Sequence, residues 1–306
     1  MMVETRILPF GPEAIAEAAR LILNGHAVAV PTETVYGLAA DATNAEAVAR
    51  IYEAKGRPSF NPLIVHVPNL EVARRIGEFD ATALALAADH WPGPLTIVVP
   101  LRSDARIASL VTAGLDTIAL RVPAHPAMQA LLEAVDRPLA APSANASGSI
   151  SPTRAEHVAK SLGGRVPMII DGGATKRGLE STIVAATGGQ LRLLRRGPID
   201  VPDASEVSGD RIEAPGQLAS HYAPSKALRL NTSSADADEF LIGFGTIAGD
   251  VSLSESGDLT EAAARLFDLL HIADASDKPR IAVAPVPDEG LGAAINDRLR
   301  RAAAPR

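Results

Sequence analysis

The sequence contains no cysteine in its 306 residues. This absence excludes disulfide bonds, zinc–thiolate centres and cysteine nucleophiles, and it is compatible with a protein of the cytosol. Aromatic residues are scarce as well, at 3%, so Ala, Val, Leu and Ile must form most of the core. No apolar run approaches the roughly 20 residues of a membrane-spanning helix, and the first residues, MMVETRILPFG, have no apolar signal core. We therefore expect a cytoplasmic protein with no membrane partner.

A surplus of basic residues is also missing. The net charge is −7; residues 1–205 carry 19 Lys and Arg against 20 Asp and Glu, and residues 206–306 carry 10 against 16. A general nucleic-acid-binding protein normally has a basic surplus or stripe, because contacts with phosphates supply much of its affinity. The charge balance argues against that class, although it does not exclude a local basic pocket.

Several widespread enzyme motifs are absent. The sequence has no GxxxxGK[ST] phosphate-binding loop, no HExxH metal motif and no GxSxG nucleophile elbow. Its paired glycines, at 163–164, 172–173 and 188–189, do not form a GxGxxG fingerprint. Any catalytic site must therefore use another set of residues.

Helical patterns alternate with short apolar runs over the first 200 residues, which predicts the α/β fold class. Pro12 suits the first turn of the first helix and Gly25 its end, and Asn44 is a good cap for the next helix. Residues 201–226 are polar, rich in Pro and Gly, and without periodicity, and a shorter α/β pattern follows them. We predict a first domain over 1–205, a linker or lid over 206–226, and a small α/β domain over 227–306.

The first polar cluster, Pro31–Leu38, directly follows a predicted buried strand. Thr32 and Thr34 supply hydroxyls, Glu33 a carboxylate and Tyr36 a phenol. Ligand crevices of α/β sheets lie at strand ends, which favours a binding site here. An ordinary strand-to-loop turn would explain the same residues, and both interpretations stay open.

The second cluster, Lys55–Pro62, places two cations beside Gly56 at a predicted helix end. Cations there also suit the helix dipole. The two prolines stiffen the loop, however, and a rigid loop of this composition suits a polyphosphate. Lys55 would contact it as a point charge, and the planar guanidinium of Arg57 could donate two hydrogen bonds to it. His66 interrupts the next apolar strand, where a structural role in the core is the simpler interpretation.

Three further features lie downstream. The loop Ala140–Ser151 is rich in Ser and Asn, as in an anion-binding loop or a plain turn. Glu180–Val184 begins one predicted strand, and Arg195–Gly197 closes the next. Arg121 interrupts an apolar strand, and burial of Arg is costly unless it meets an anion or a carboxylate. Spacing alone therefore indicates an α/β protein with cation-plus-hydroxyl loops that suit a phosphorylated ligand.

Five segments resemble, in order, the YrdC-type domain of threonylcarbamoyl-AMP synthases: PTETVYGLAADA, KGRPSFNPLIVHV, APSANASGSISPT, STIV and LRRGPI. The resemblance spans roughly residues 5–203. The segment APGQLASHYAP resembles the linker of two-domain members of that family, with Gln217 where Met is expected. One such motif would be weak, whereas five in order with the linker are specific.

The resemblance implies a twisted open mixed sheet around a concave cavity, followed by a smaller Rossmann-like α/β domain. It implies a nucleotidyltransferase that forms threonylcarbamoyl-AMP and pyrophosphate from L-threonine, bicarbonate or CO2, and ATP. The product would serve the t6A modification of adenosine 37 in tRNA through a separate transferase complex, and direct tRNA binding is left open. Mg2+ would accompany ATP, and no organic cofactor is implied. A carbamate oxygen would attack the α-phosphorus, so that the protein only positions reactants and neutralises charge.

The resemblance also assigns residues, position by position. The threonine side would comprise Thr34, His66, Arg121, Ala141 and Ser181. The ATP side would comprise Arg57, Asn61, Thr117, Ser143, Ser151, Arg195 and Tyr222. Lys55 and Arg57 would stabilise charge during catalysis, and Tyr222 with His221 would form a lid over the nucleotide.

Two other functions are weighed against this one. Stand-alone domains of the same fold have been proposed to bind double-stranded RNA, but the first domain of this chain is nearly neutral. Hydrogenase-maturation proteins use a related domain in carbamoyl-phosphate chemistry, but they carry zinc-finger modules that a chain without cysteine cannot build.

Overall fold

The computed structural model describes residues 3–206, 213–217 and 220–305. These residues form two separate β-sheets with helices packed on them, which confirms the predicted α/β class. Among them, no helix is both long and apolar enough to cross a membrane.

The large sheet is mixed, with 11 strands in the order β1-β8-β2-β3-β7-β4-β6-β5-β9-β10-β11. Its strands are β1 (Arg6–Pro9), β2 (Val28–Val30), β3 (Gly37–Asp41), β4 (Ile64–His66), β5 (Leu95–Pro100), β6 (Thr117–Arg121), β7 (Leu139–Ala140), β8 (Met168–Asp171), β9 (Thr182–Thr187), β10 (Gln190–Arg195) and β11 (Ser205–Glu206). The helices of this part are α1 (Pro12–Leu23), α2 (Ala45–Lys55), α3 (Leu70–Arg74), α4 (Ala81–His90), α5 (Ser109–Thr112), α6 (Pro126–Val135) and α7 (Ala155–Leu162).

The small sheet has four parallel strands in the order β12-β15-β13-β14. They are β12 (Ala227–Arg229), β13 (Glu239–Gly243), β14 (Val251–Ser252) and β15 (Arg280–Val283), and they pack with α8 (Leu259–Ala275) and α9 (Leu291–Ala303). The predicted linker, 206–226, lies between the two sheets in the chain. Of that segment, 207–212 and 218–219 lie outside the described residues.

Local signals in the sequence explain where helix α2 begins and ends. The Asn44 side chain caps it by accepting hydrogen bonds from the backbone N–H groups of Glu46 and Ala47. Gly56 ends it in the left-handed conformation, with φ of 60°, which glycine adopts without steric cost. The chain therefore turns sharply at this point, and Arg57 is delivered to the sheet edge rather than to the helix surface.

The first polar cluster is not a loop throughout. Residues Thr32–Tyr36 form the expected turn, but Gly37–Asp41 is strand β3, which pairs antiparallel with β2 and with β7. Every residue of β3 is buried. Short apolar side chains on both faces let this strand lie in the centre of the sheet, and the sequence pattern did not reveal it because the strand follows the turn without a break.

Candidate active site

Distant segments of the chain meet at one edge of the large sheet. His66 ends β4 and Arg121 ends β6, and the two residues are direct partners in this parallel pair. Ser181 directly precedes β9, and Arg195 ends the antiparallel neighbour β10, so both reach the same edge. The topology therefore gathers residues more than 100 positions apart in the sequence.

One cavity at this edge is lined by most of the residues that the resemblance assigned. Nine of them take part: Thr34, Arg57, His66, Arg121, Ala141, Ser143, Ser181, Arg195 and Tyr222. Residues predicted for the threonine side and for the ATP side thus face the same space. Sequence alone could not place these two groups next to each other.

Arg121 has the carboxylate partner that its position in an apolar strand required. The side chain is 3% exposed, and its guanidinium donates to Glu33 Oε1 at 2.5 Å and to Thr34 Oγ1 at 3.0 Å. A third hydrogen bond goes to the carbonyl of Gly93 at 3.1 Å. Burial alone would raise the pKa of Glu33, but the charge of Arg121 and the hydrogen bonds from Arg121 and from backbone N–H groups together outweigh burial and lower it. The ion pair holds the fork of Arg121 in place at the cavity wall.

Arg57 and Arg195 are two more buried cations at the cavity, and they differ from Arg121 in their partners. Arg57 donates to the carbonyls of Asn61 and Pro62, at 3.3 and 3.0 Å, while Arg195 donates to the carbonyl and the hydroxyl of Ser181, both at 3.0 Å. Among the described residues, no carboxylate lies within ion-pair distance of either guanidinium. Burial lowers the pKa of Arg57 to about 10. Such charges are compensated when an anion enters.

His66 is a neutral group in this site. Burial, followed by the nearby charge of Arg121, lowers the pKa of His66 to about 3. Its Nδ1 atom is buried and has no hydrogen-bond partner. The ring can therefore offer a neutral hydrogen-bonding group to a ligand, and the purely structural role considered from the sequence leaves this atom unexplained.

Lys55 supports the neighbouring loop and does not line the cavity. Its Nζ atom donates to the carbonyls of Ser143, at 2.6 Å, and Asn145, at 2.5 Å. Burial lowers the pKa of Lys55 well below its usual range. This geometry fits a positioning role for the loop that carries Ser143, and the catalytic role assigned from the sequence stays a prediction.

Three other assigned residues lie outside the cavity lining. Thr117 lies at the far end of β6, four residues from Arg121, and borders a separate hollow with Arg192 and Glu213. Since a strand rises about 3.3 Å per residue, the Cα atoms of Thr117 and Arg121 lie about 13 Å apart, and the assignment of Thr117 to ATP stays a prediction. Ser151 is buried behind the wall, where its hydroxyl donates to Glu180.

Asn61 is the third of these residues. Its side chain is 1% exposed, and both its amide oxygen and its amide nitrogen lack a hydrogen-bond partner. Buried polar atoms are rarely left unpaired, so these two atoms mark a place where a ligand or a metal ion can bind. The neighbouring carbonyl of Asn61 already accepts from Arg57.

The described part of the predicted lid lies over the cavity. Pro215, Gly216, His221 and Tyr222 all line it. A side chain at Gly216 would come within 2.7 Å of the Tyr222 hydroxyl, so the close approach of this segment requires glycine. The cavity has a volume of about 40 Å³.

Two acidic residues of the site received no role from the sequence. Glu33 pairs with Arg121 across 88 residues, and Glu180 forms part of the cavity wall. The sequence indicates that Arg121 needs a carboxylate partner, because a buried arginine is costly without one. It does not indicate that Glu33 is this partner, since several acidic residues could serve. It contains no signal for Glu180, whose partners Ser151 and Arg298 come from two distant segments.

The buried histidines lead to an expectation about pH. His66 stays neutral in the folded protein down to a pKa of about 3, whereas its pKa in the unfolded chain is about 6.5. Below pH 6.5 only the unfolded state takes up this proton, so the free energy of unfolding falls by about 1.4 kcal/mol per pH unit from this residue. His157 and His271, whose pKa values burial lowers to about 4, act in the same direction.

Urea unfolding between pH 7 and pH 5 measures this effect. We expect the unfolding midpoint to fall steadily with pH, and the variant His66→Gln to have a shallower slope by about one proton. A matched variant of the exposed His26, His26→Gln, should keep the original slope. Equal slopes for His66→Gln and the unchanged protein would contradict the neutral, buried state of His66.

Known proteins resemble this chain over nearly its whole length. A family model described as Telomere recombination (Sua5_yciO_yrdC) matches residues 20–197, and one described as Threonylcarbamoyl-AMP synthase, C-terminal domain, matches residues 175–304. The chain is 39% identical to threonylcarbamoyl-AMP synthase of Bacillus subtilis (95% of this chain, 93% of the relative) and 39% identical to that of Pyrococcus abyssi (93% and 92%). The crystal structure of P. abyssi Sua5 complexed with L-threonine matches with a TM-score of 0.88 and 36% identity, covering 99% of this chain and 98% of that chain.

Proposed function

This chain belongs to the family of threonylcarbamoyl-AMP synthases, and on that premise we propose that it joins L-threonine, bicarbonate or CO2, and ATP into threonylcarbamoyl-AMP, with release of pyrophosphate. The product would serve t6A modification of tRNA. The cytoplasmic location and the transfer of the product by a separate complex stay predictions of the sequence.

One observation carries the proposal: three buried guanidiniums face a single cavity. Within the described part of the chain, Arg121 is paired with a carboxylate, whereas Arg57 and Arg195 have none within ion-pair distance. The reaction combines one amino-acid carboxylate with one polyphosphate, so it needs cations of two kinds close together. The guanidinium of Arg121, which Glu33 orients, suits the carboxylate of the amino acid. The guanidiniums of Arg57 and Arg195 suit the phosphates, whose negative charge takes the place of a protein carboxylate.

The proposed division of roles follows from this difference. Arg121 receives the carboxylate of threonine, and Thr34, His66 and Ser181 surround the rest of that substrate. Arg57 and Arg195 receive phosphates, with Ser143 on the loop that Lys55 supports. The protein acts by positioning the carbamate oxygen near the α-phosphorus and by stabilising the charge on pyrophosphate as it leaves.

Mg2+ would accompany ATP and balance the charge of its phosphates. The described residues contain no group of three or more His, Cys, Asp or Glu side chains placed to hold a metal ion. The unpartnered amide oxygen of Asn61 is a hard oxygen donor, of the type that Mg2+ accepts, and the backbone carbonyl of the same residue accepts a hydrogen bond from Arg57. We propose Asn61 as the contact of this chain with the metal or with its phosphates.

Release of pyrophosphate tests the proposal. Purified protein with ATP and Mg2+ should release pyrophosphate only when both L-threonine and bicarbonate are present, and radiolabelled bicarbonate should appear in an adenylate. D-threonine serves as the control for the amino acid. No pyrophosphate at saturating ATP and threonine would refute the proposed function.

Binding of double-stranded RNA is not favoured as the main function. A surface that reads an RNA duplex needs exposed cations along its backbone. Here the cations of the site are buried and the chain as a whole is acidic.

A further inference from the structure

Arg298 is the largest fully buried side chain among the described residues, and it belongs to helix α9 of the small domain. Its guanidinium nevertheless reaches the large domain. Nε donates to Glu180 Oε2 at 2.8 Å, and one terminal nitrogen donates to the carbonyl of Arg196 at 2.8 Å. The other terminal nitrogen donates to the adjacent Asp297 at 2.7 Å. A single residue of the small domain is thus bonded to the wall of the proposed active site.

Glu180 connects this contact to the nucleotide side of the site. One of its carboxylate oxygens accepts from Arg298, and the other accepts from the hydroxyl of Ser151. Glu180 also lines the cavity directly. Arg298 therefore fixes the orientation of a cavity-lining carboxylate and, through it, the loop that contains Ser151.

Tyr222 of the linker is held by the same arginine. The Cζ atom of Arg298 lies 5.1 Å from the centre of the Tyr222 ring, and Phe267 of helix α8 packs on that ring at 5.6 Å. The backbone of Tyr222 has φ of 64°, in the left-handed region that is unfavourable for a residue with a side chain. Such a conformation persists only where the surrounding contacts impose it, and here the small domain supplies them.

Domain attachment alone does not explain a charged residue at this position. A buried ion pair adds little stability compared with well-packed apolar side chains of similar volume. Apolar contacts are already abundant around Tyr222, where Ile150 and Leu179 join the core of the small domain. What only an arginine provides is a planar group that bonds in three directions and also stacks on a ring.

We propose that Arg298 is a positioning residue for ATP, through which the small domain holds Glu180, Ser151 and Tyr222 in their binding arrangement. The inference rests on the proposed function in one respect, namely that ATP is the ligand on this side of the cavity. It assigns the small domain a direct part in nucleotide binding.

Titration of ATP with Mg2+, without threonine, into the full chain measures the effect by calorimetry. We expect Arg298→Met to weaken ATP binding roughly 10- to 100-fold, because the carboxylate of Glu180 is left unpaired and the ring of Tyr222 loses its support. Threonine binding, measured separately, should change less than about threefold, since the groups proposed for threonine do not touch Arg298. The control is Arg300→Met on the same helix; the side chain of Arg300 is 59% exposed and lies 3.8 Å from its nearest carboxylate.

Two further variants test the proposal if thermal melting shows that Arg298→Met does not fold. Arg298→Lys keeps the charge but not the three bonding directions, and it should still weaken ATP binding. When Arg298→Lys is combined with Glu180→Gln, the loss of ATP-binding free energy should be smaller than the sum of the two separate losses, because both changes break the same hydrogen-bond network. Additive effects would overturn the inference, as would unchanged ATP binding in folded Arg298→Lys.

The outcomes separate this inference from the proposed function. A wild-type protein that binds ATP but releases no pyrophosphate with threonine and bicarbonate would refute the reaction, while the comparison of ATP affinities would still decide the role of Arg298. If the wild-type protein forms the adenylate, and folded Arg298→Met binds ATP with the same affinity as the wild type, only the proposed role of Arg298 is refuted. A wild-type protein that binds no ATP would refute both.

Discussion

Replacement of Arg121 by methionine is expected to reduce kcat/KM for L-threonine roughly 100-fold or more, while ATP binding changes little. Among the described residues, Arg121 is the one cation of the cavity that a carboxylate already orients, and its guanidinium can form two charge-assisted hydrogen bonds to the substrate. Each such bond contributes about 1.5 to 3 kcal/mol, and about 1.4 kcal/mol corresponds to a factor of ten. Steady-state kinetics with each substrate varied in turn measures the effect.

A second variant separates substrate binding from stability. Removal of Arg121 leaves Glu33 as an unpaired buried carboxylate, which costs about 3 to 5 kcal/mol of stability. The double variant Arg121→Met with Glu33→Gln removes this charge, so it should recover stability in urea unfolding but not the use of threonine. If the double variant also recovers threonine use, Arg121 serves only to neutralise Glu33. A larger loss for ATP than for threonine would assign Arg121 to the nucleotide.

For Arg57→Met we expect the opposite relation between stability and binding. Arg57 is a buried cation that donates to two backbone carbonyls and has no carboxylate partner among the described residues, and burial lowers its pKa to about 10. Its removal relieves the cost of burying a charge, so the free protein should be as stable as before or more stable. ATP binding should weaken roughly 10- to 100-fold, because a charge-assisted contact with phosphate is lost.

Melting temperatures with and without ATP and Mg2+ test this pair of effects. The unchanged protein gains about 2.7 kcal/mol when ATP is present at 100 times its Kd, and Arg57→Met should lose most of this gain at the same ATP concentration. Arg74→Met, at an exposed position of α3, is the control and should behave as the unchanged protein. An equal shift by ATP in Arg57→Met and in the control would remove Arg57 from the nucleotide site.

Local features of the sequence were sufficient for much of the fold. Helix α2 begins at its asparagine cap and ends at a left-handed glycine, as its pattern predicted, and the α/β class follows from alternating helices and apolar strands. Strand β3 was missed because it continues directly from a polar turn. Turn-forming residues indicate where the chain bends, but they do not indicate at which residue the next paired β-strand begins.

The site could be predicted only as a set of residue types. The position of Arg121 in an apolar strand predicted a buried partner, and Glu33 is that partner, but the pairing depends on strand order. Thr117 shows the converse, since it shares strand β6 with Arg121 and yet lies at the other end. A sequence motif can assign a residue to a site, but the distance of that residue from the cavity depends on which end of its strand faces the cavity.

The chemistry available to the protein was therefore already present in its sequence: cations and hydroxyls after apolar strands, no nucleophilic triad motif, and a linker with a histidine and a tyrosine. The tertiary structure decided how these groups are used. It paired Arg121 with Glu33 but placed no carboxylate of the described residues within ion-pair distance of Arg57 or Arg195, and it brought Arg298 of the last helix to the wall of the cavity. The physical reason is that the charge state and orientation of a buried group depend on its neighbours, and the carboxylates that pair with Arg121 and Arg298 lie 88 and 118 positions away in the sequence.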